Sequence, residues 1–378
     1  MSRVIDEHRL YLSDPHRVPA FERAIREVVA PGDVVVDLAS GTGILGLLAA
    51  RAGASRVYAI EQEGIAGLAR QIAQANGFDS VISHIRGYSR RVNVPERANV
   101  VVCDQIGGFG LEADILERAR EVRTRFLQPG GTFVPRGLEL VIAAVEHPGL
   151  HGRLRFWKTR PADFDFSAAL DVAANTGYPA RLRPEHLLST PVTAATLDLM
   201  VEPSLPLHLS GTLRASRAGV LHGIGGWFVA QLSPGVTMTN SPLSTERINR
   251  RPIFFPIENG VALEAGATVD VSMRILPADT MYAWEVRIAR PSGPPLTFRH
   301  TTLRGMLLAR EDLELTNPVH RPVLTPHGVA RLTVLRLCDS RNTLAEIERL
   351  VFEEHRDLFA SPAEAAMFVA EVVTRYGR

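Results

Sequence analysis

The chain is poor in cysteine. Cys103 and Cys338 are the only two in 378 residues, which excludes a disulfide framework and a thiolate metal cluster and fits a reducing cytoplasm. It also lacks an excess of either charge: 42 basic against 41 acidic residues leave a formal +1. Neither nucleic acid nor an anionic membrane is therefore expected as a partner. No apolar run reaches the ~18 residues a bilayer span needs. The opening MSRVIDEHRLYLSDPHR is too polar for a secretion signal. Internal repeats and low-complexity tracts are absent. What is present is the composition of a globular protein, 46% hydrophobic and 22% charged. The length calls for two or three domains.

Strand and helix patterns alternate through the first third of the chain. Residues 8–30 predict a helix that Pro19 kinks or divides. VVVDL (34–38) suits a buried parallel strand. A Gly-rich turn, a helix over 44–53 closed by Gly53, a strand over 57–61 and a helix over 65–77 follow. Strands over 81–87 and 98–104, a helix over 115–127 and a turn-plus-strand over 129–135 complete a doubly wound parallel sheet. After Pro135 the texture changes to short alternating stretches (138–146, 196–201, 226–232, 269–276, 282–289) between proline- and glycine-rich turns. These predict an antiparallel β domain, a barrel or a sandwich. Residues 151–190 fit it poorly and read as an insertion. From about Leu315 a linker leads to three amphipathic helices over 328–340, 343–355 and 361–377. Thr343 with Glu346 and Ser361 with Glu364 stand at capping-box spacing. The expected domains are 1–135, 136–315 and 318–378.

The first strand-to-helix loop reads Asp37-Leu38-Ala39-Ser40-Gly41-Thr42-Gly43. Small residues let backbone approach a ligand closely. A dinucleotide fold would want G-x-G-x-x-G around a pyrophosphate. Here an acid precedes the turn and the third glycine is missing, which suits a ligand carrying a sulfonium and an ammonium. Glu61 ends the second strand, where a carboxylate can accept both ribose hydroxyls. The plainer reading is an ordinary turn with a capping acid.

Together these residues resemble the protein arginine methyltransferases, across roughly residues 8–300. His8-x-x-Tyr11-Leu12-x-Asp14-x-x-Arg17-x-x-Ala20-Phe21 is similar to that family's H-x-x-M-L-x-D-x-x-R-x-x-A-Y. There the arginine pairs with the methionine carboxylate of S-adenosylmethionine, a role the resemblance carries to Arg17; a guanidinium suits it. VVDLASGTGILGLLAARAGASRVYAIE matches the cofactor loop, with Ala39 where glycine is usual. LHGIGGWF (221–228) and NSP…FFPI (240–257) resemble the family's β-barrel, and 151–190 stands where it carries a dimerisation arm. The resemblance implies a Rossmann-like domain followed by a β-barrel, S-adenosylmethionine as cofactor, and a homodimer. Cofactor contacts are expected from Tyr11, Arg17, Asp37, Ala39, Ser40, Gly41, Gly43, Ile44, Glu61, Gln62, Gly87, Tyr88 and Asp104.

The substrate loop departs from the family. Its guanidinium clamp is S-E-W-M-G-x-x-x-x-x-E; here Cys103-Asp104-Gln105-Ile106-Gly107-Gly108-Phe109-Gly110-Leu111-Glu112 shortens the first acid and brings the second one residue early. A planar guanidinium needs two carboxylates at fixed separation. The family's T-H-W loop reads Ile248-Asn249-Arg250, and the acid that contacts adenine is missing from Gly87-Tyr88-Ser89-Arg90. Gln105 and Asn249 are the expected substrate contacts. Methyl transfer to an amine needs a neutral nitrogen, and an aliphatic amine has a pKa of about 10. Asp104 and Glu112 are the first candidates to hold the ammonium and take its proton, with His8, Tyr11 and Asp14 next. No metal is expected.

Residues 318–378 resemble the PqqD-like peptide-recognition domains, small winged-helix modules that bind leader peptides of ribosomally made natural products. The matching stretch is Leu335-Arg336-Leu337-Cys338-Asp339-Ser340-Arg341-Asn342-Thr343-Leu344-Ala345-Glu346-Ile347. The plainer reading is a helical cap or an oligomer contact. The resemblance implies a peptide bound by strand pairing and a groove. The leading expectation is N-methylation of an amine on a ribosomally made peptide, as in daptide-type pathways. The alternatives are an arginine or guanidine methyltransferase with an altered clamp, a small-molecule O-methyltransferase, and a binding protein that holds the cofactor without chemistry.

Overall fold

The computed structural model describes residues 3–290, 293–307, 309–315 and 317–377. It divides into two compact units, Met1–Met306 and Leu307–Arg378.

The first unit opens with two helices, α1 (Arg3–Leu12) and α2 (Arg17–Val28). The break falls at Asp14-Pro15, not at Pro19, because Pro19 stands in the first turn of α2, where no N–H is needed. Then β1 (Val34–Leu38), α3 (Ile44–Ala52), β2 (Arg56–Glu61), α4 (Ile65–Ala75), β3 (Ile82–Arg86), β4 (Ala98–Val102), α5 (Ile115–Glu121) and β5 (Leu127–Val134) follow the predicted alternation. A π-helical turn, Val122–Phe126, extends α5. The five strands form one parallel sheet in the order β3-β2-β1-β4-β5. Its β-branched strands are buried on both faces, as β1 shows with Val35, Val36 and Leu38 all inaccessible. The strand order reverses between β1 and β4, so ligands are expected at the carboxyl ends of β1, β2 and β4.

From β6 (Gly137–Val145) onward the unit is antiparallel. Helices α6 (Pro148–Phe156) and α7 (Ala169–Ala174) fill the segment read as an insertion. The strands β7 (Tyr178–Pro179), β8 (Val192–Asp198), β9 (Leu207–Arg214), β10 (Gly219–Ser233), β11 (Val236–Thr239), β12 (Ile253–Leu263), β13 (Thr268–Leu276), β14 (Met281–Ile288) and β15 (Leu296–Thr301) build two sheets. One runs β7-β12-β10-β6-β8 with β11 on β10; the other runs β15-β14-β13-β9. Alternate residues of β13 and β14 (Val269, Val271, Met273, Trp284, Val286) face inward. One hydrophobic core is continuous from the parallel sheet into both antiparallel sheets. Polar ties reinforce this: Glu27 of α2 accepts from Ser233 Oγ at 2.6 Å and from the Gly235 N–H at 2.9 Å.

The second unit holds α8 (Arg310–Leu315), α9 (Pro326–Leu337), α10 (Leu344–Glu354) and α11 (Pro362–Tyr376). Ala330, Val334, Ile347, Val351, Phe359, Ala365, Val369 and Val372 make its small core. Thr343 and Glu346 form a reciprocal capping box on α10. On α11 the box is incomplete: Ser361 Oγ accepts from the Glu364 N–H, but Glu364 accepts from Ala360. No strand occurs among the described residues of this unit, so the expected wing and its pairing edge are not found among them.

Candidate active site

The loop after β1 is shaped by the helix it opens. Asp37 is fully buried; one carboxylate oxygen accepts from the Gly46 N–H of α3 at 2.8 Å and the other has no partner. Burial pushes its carboxyl up to about 7, with Glu61 adding to the rise. Asp37 thus braces α3 from behind, and it does not line the cleft as the sequence reading expected. Ala39, Gly41 and Gly43 all have positive φ (59°, 55° and 82°), the glycines at little cost and Ala39 under strain. Glu61 closes the loop from β2: one oxygen accepts from the Gly41 N–H and the other from the Glu63 N–H, both at 2.9 Å. His8 of α1 covers Gly41 so closely that a Cβ there would lie 2.5 Å from the imidazole.

Asp14 organises the turn between α1 and α2. One oxygen accepts from the His16 and Arg17 N–H groups (3.0 and 3.1 Å), the other from the Asn249 N–H at 2.6 Å. Buried and absent from the lining of the cleft, Asp14 positions its neighbours and is no candidate base. Arg17 forms a buried ion pair with Asp104, just beyond β4. A second guanidinium, Arg250, lies 3.5 Å from the other Asp104 oxygen and also donates to the Ile106 carbonyl. Tyr11 lies beneath both, 4.8 Å from Arg17 and 5.8 Å from Arg250.

Gly107, Gly108 and Gly110 fold the segment after Asp104 tightly around Glu112. A Cβ on Gly107 would meet the Glu112 carboxylate at 2.0 Å. Glu112 accepts from the Phe109 N–H and from the Tyr282 hydroxyl of β14, both at 3.0 Å. Its burial raises the carboxyl above its ordinary value. Asn240 ties this loop to the β domain, donating to the Gly108 carbonyl at 2.7 Å.

The main cleft, about 800 Å³, brings together most residues predicted from the sequence: His8, Tyr11, Arg17, Ala39, Ser40, Gly41, Ile44, Glu61, Asp104, Gln105 and Glu112. A smaller cavity of about 150 Å³ shares Ala39, Glu61 and Gln105 with it and adds Gln62, Gly87, Ser89 and Arg118. Gly43 lines neither cavity and serves at the start of α3; Tyr88 is 59% exposed and lines neither. Asn249 is also exposed and outside both cavities: its backbone holds Asp14, and the next two residues, Arg250 and Arg251, reach the cleft. Arg250, Tyr282 and Arg118 were missed, because each meets a partner far off in sequence: Asp104, Glu112 and Ser89.

S-adenosylmethionine fits this arrangement. Ser40 Oγ is buried beside the cleft without a partner. Glu61 stands where the two cavities meet, suited to a ribose. Arg17 lines the larger cavity, where it suits a carboxylate, and the smaller cavity, which Arg17 does not line, is left for the base. Among the described residues no group of His, Cys, Asp or Glu could hold a metal ion, and no helix is long and apolar enough to cross a membrane.

Residues 138–287 match the family model of the arginine methyltransferase oligomerization subdomain, and residues 22–140 that of the ribosomal protein L11 methyltransferase. Neither reaches the helices after Leu307. Protein arginine N-methyltransferase 6 of Xenopus laevis is 27% identical over 72% of this chain and 84% of its own length. The arginine N(omega)-methyltransferase of Streptomyces achromogenes subsp. streptozoticus is 28% identical over 69% and 74%. In fold the chain is similar to the Trypanosoma brucei PRMT1 enzyme–prozyme complex with AdoHcy (TM-score 0.71, 20% identity, 78% of this chain and 98% of that one). It is also similar to Arabidopsis thaliana protein arginine methyltransferase 10 (TM-score 0.68, 20% identity, 79% and 98%). The chain is an S-adenosylmethionine-dependent methyltransferase, similar in fold to the protein arginine methyltransferases.

Proposed function

We propose that this methyltransferase delivers its methyl group to nitrogen, and that the acceptor is an aliphatic amine carried on a peptide. One observation carries the choice of acceptor: Arg250, a guanidinium of the chain itself, sits on Asp104. A substrate guanidinium would have to displace it to reach two carboxylates, whereas a small amine can approach Glu112 alone. The cofactor supplies an electrophilic methyl carbon on sulfur. Arg17 would hold its carboxylate, Glu61 the ribose hydroxyls, and Ser40 and the loop backbone would close over it. Glu112 takes the proton from the incoming ammonium, and its raised pKa makes it a stronger base once ionised. Tyr282 and the Phe109 N–H fix its direction.

A second reading, an arginine or guanidine acceptor, is favoured by the relatives, which are named for arginine methylation. The comparisons stand closer to this reading; the occupied clamp stands closer to the amine. Peptide delivery by residues 307–378 would use a helical face, as no strand edge is described there. A homodimer, with α6 and α7 as the dimerisation arm, is the assembly proposed from the matching oligomerization subdomain.

The test is intact-mass analysis after incubation with S-adenosylmethionine and two peptides, one Arg-rich and one without Arg but with an aliphatic C-terminal amine. Methylation of the Arg-free peptide, lost in Glu112→Gln, is the expected result. Methylation confined to the Arg-rich peptide would establish the guanidine reading instead. Under the amine reading, Arg250→Met should raise transfer to arginine relative to amine.

A further inference from the structure

The smaller cavity shares Glu61 with the main cleft, whereas Arg17 lines only the main cleft. A ligand with its ribose at Glu61 and its carboxylate at Arg17 therefore lays its base here. Cofactor binding and this polarity are its only premises; it does not depend on which acceptor is methylated.

The chemistry of this end is unusual for an adenine site. Glu61 is the one carboxylate lining it, and both its oxygens already accept backbone N–H groups. The other polar side chains are Gln62, Ser89, Gln105 and Arg118. Ser89 is 9% exposed. Arg118 donates to Ser89 Oγ and, at 2.9 Å, to Glu121, a carboxylate 4% exposed on the helix behind. Because Ser89 Oγ accepts from Arg118, its own O–H is left to donate. Arg125 fixes the same segment by donating to the carbonyls of Ser89 and Val92. The base end thus presents a held guanidinium and a hydroxyl, both donors, beside amides that can turn either way.

We propose that this cavity reads the purine through donors, Ser89 and Arg118, and so accepts a 6-oxopurine nucleoside about as readily as adenosine. A carboxylate would select adenine by accepting from its 6-amino group and would repel a 6-oxo group. A guanidinium does the reverse: with both Nη1 hydrogens of Arg118 given to Ser89 and Glu121, its Nε–Nη2 edge is the fork that matches the O6 and N7 acceptors of a 6-oxopurine, and it can reach a ring nitrogen of adenine. Gln62 can accept from a 6-amino group or donate to a 6-oxo group by turning its amide. Arg118 is the specificity-determining residue at this end of the cleft.

The experiment is calorimetric titration of the full chain with S-adenosylhomocysteine and with S-inosylhomocysteine. The two dissociation constants are expected to agree within about tenfold, roughly what one charge-assisted hydrogen bond contributes. Arg118→Met should shift their ratio toward the adenosyl ligand by about tenfold. Because Arg118 also holds Glu121, Arg118→Lys serves as a second variant: it keeps the ion pair, loses the fork, and should shift the ratio in the same direction. A preference of the parent for the adenosyl ligand well beyond tenfold overturns the proposal. So does a ratio unchanged in Arg118→Lys, or a parent that binds neither ligand.

Discussion

Replacing Asp37 by asparagine should make the protein more stable at pH 8 and much less so at pH 5. The carboxyl is fully buried with one oxygen unpartnered, and its pKa rises from 3.8 in the unfolded chain to about 7 in the fold. The folded form therefore binds the proton more tightly. Its contribution to stability is fully present below about pH 4 and is lost as pH rises through 7. At 1.36 kcal/mol per pKa unit the full span is about 4 kcal/mol, and about 3 kcal/mol of it falls between pH 5 and pH 8. Asparagine can still accept from the Gly46 N–H and carries no titratable charge. Urea unfolding of parent and Asp37→Asn at both pH values isolates the effect, since Glu112 contributes the same trend to both proteins. The parent should lose about 3 kcal/mol more than the variant between pH 5 and 8. If the two proteins lose the same amount, Asp37 is not the buried charge described here.

Other consequences can be measured in the same way. Ala39→Gly relieves a positive φ and should gain about 1 kcal/mol in thermal or urea unfolding; a loss would mean that the methyl group packs usefully. Asp14→Ala frees the start of α2 and the Asn249 loop together, so a cost of about 1–3 kcal/mol is expected, with weaker S-adenosylhomocysteine binding through a displaced Arg17. Arg17→Ala should weaken that ligand at least tenfold by calorimetry. His147 and His186, and His151 and His222, form two ring pairs 4.2 and 4.7 Å apart at the root of α6. Burial lowers the pKa of each. Their contribution to stability is therefore present above about pH 6.5 and lost on acidification below it, and His151→Phe should flatten that fall between pH 7 and pH 5.

Much of the cofactor cleft was legible because its signals are local. A β-branched run, an acid, three small residues, a helix and a second acid occur within residues 34–61, and each is set by neighbours a few positions away. Asp104 and Glu112 were legible for the same reason: the loop after a parallel strand must open at the carboxyl edge of the sheet. Asp37 was misread at the level of detail. Its strand and loop were right, but which way a side chain turns at a strand end depends on the helix packed behind it. Asn249 was misread because the alignment placed the loop but not the side chain that enters the cleft. The winged module was overread: its helices and the Thr343 cap are encoded locally, whereas a wing would need strands in residues that show none among those described.

The sequence by itself determined the parallel sheet, most of the residues that line the cleft and the place of the acidic loop, since hydrophobic period and turn chemistry act over a few residues. Only the tertiary structure decided what those contacts face. Arg250 meets Asp104 across 146 positions, Tyr282 meets Glu112 across 170, and Asp14 meets Asn249 across 235. Such pairs depend on how the antiparallel sheets dock on the parallel one through a shared core, and no local pattern carries that information.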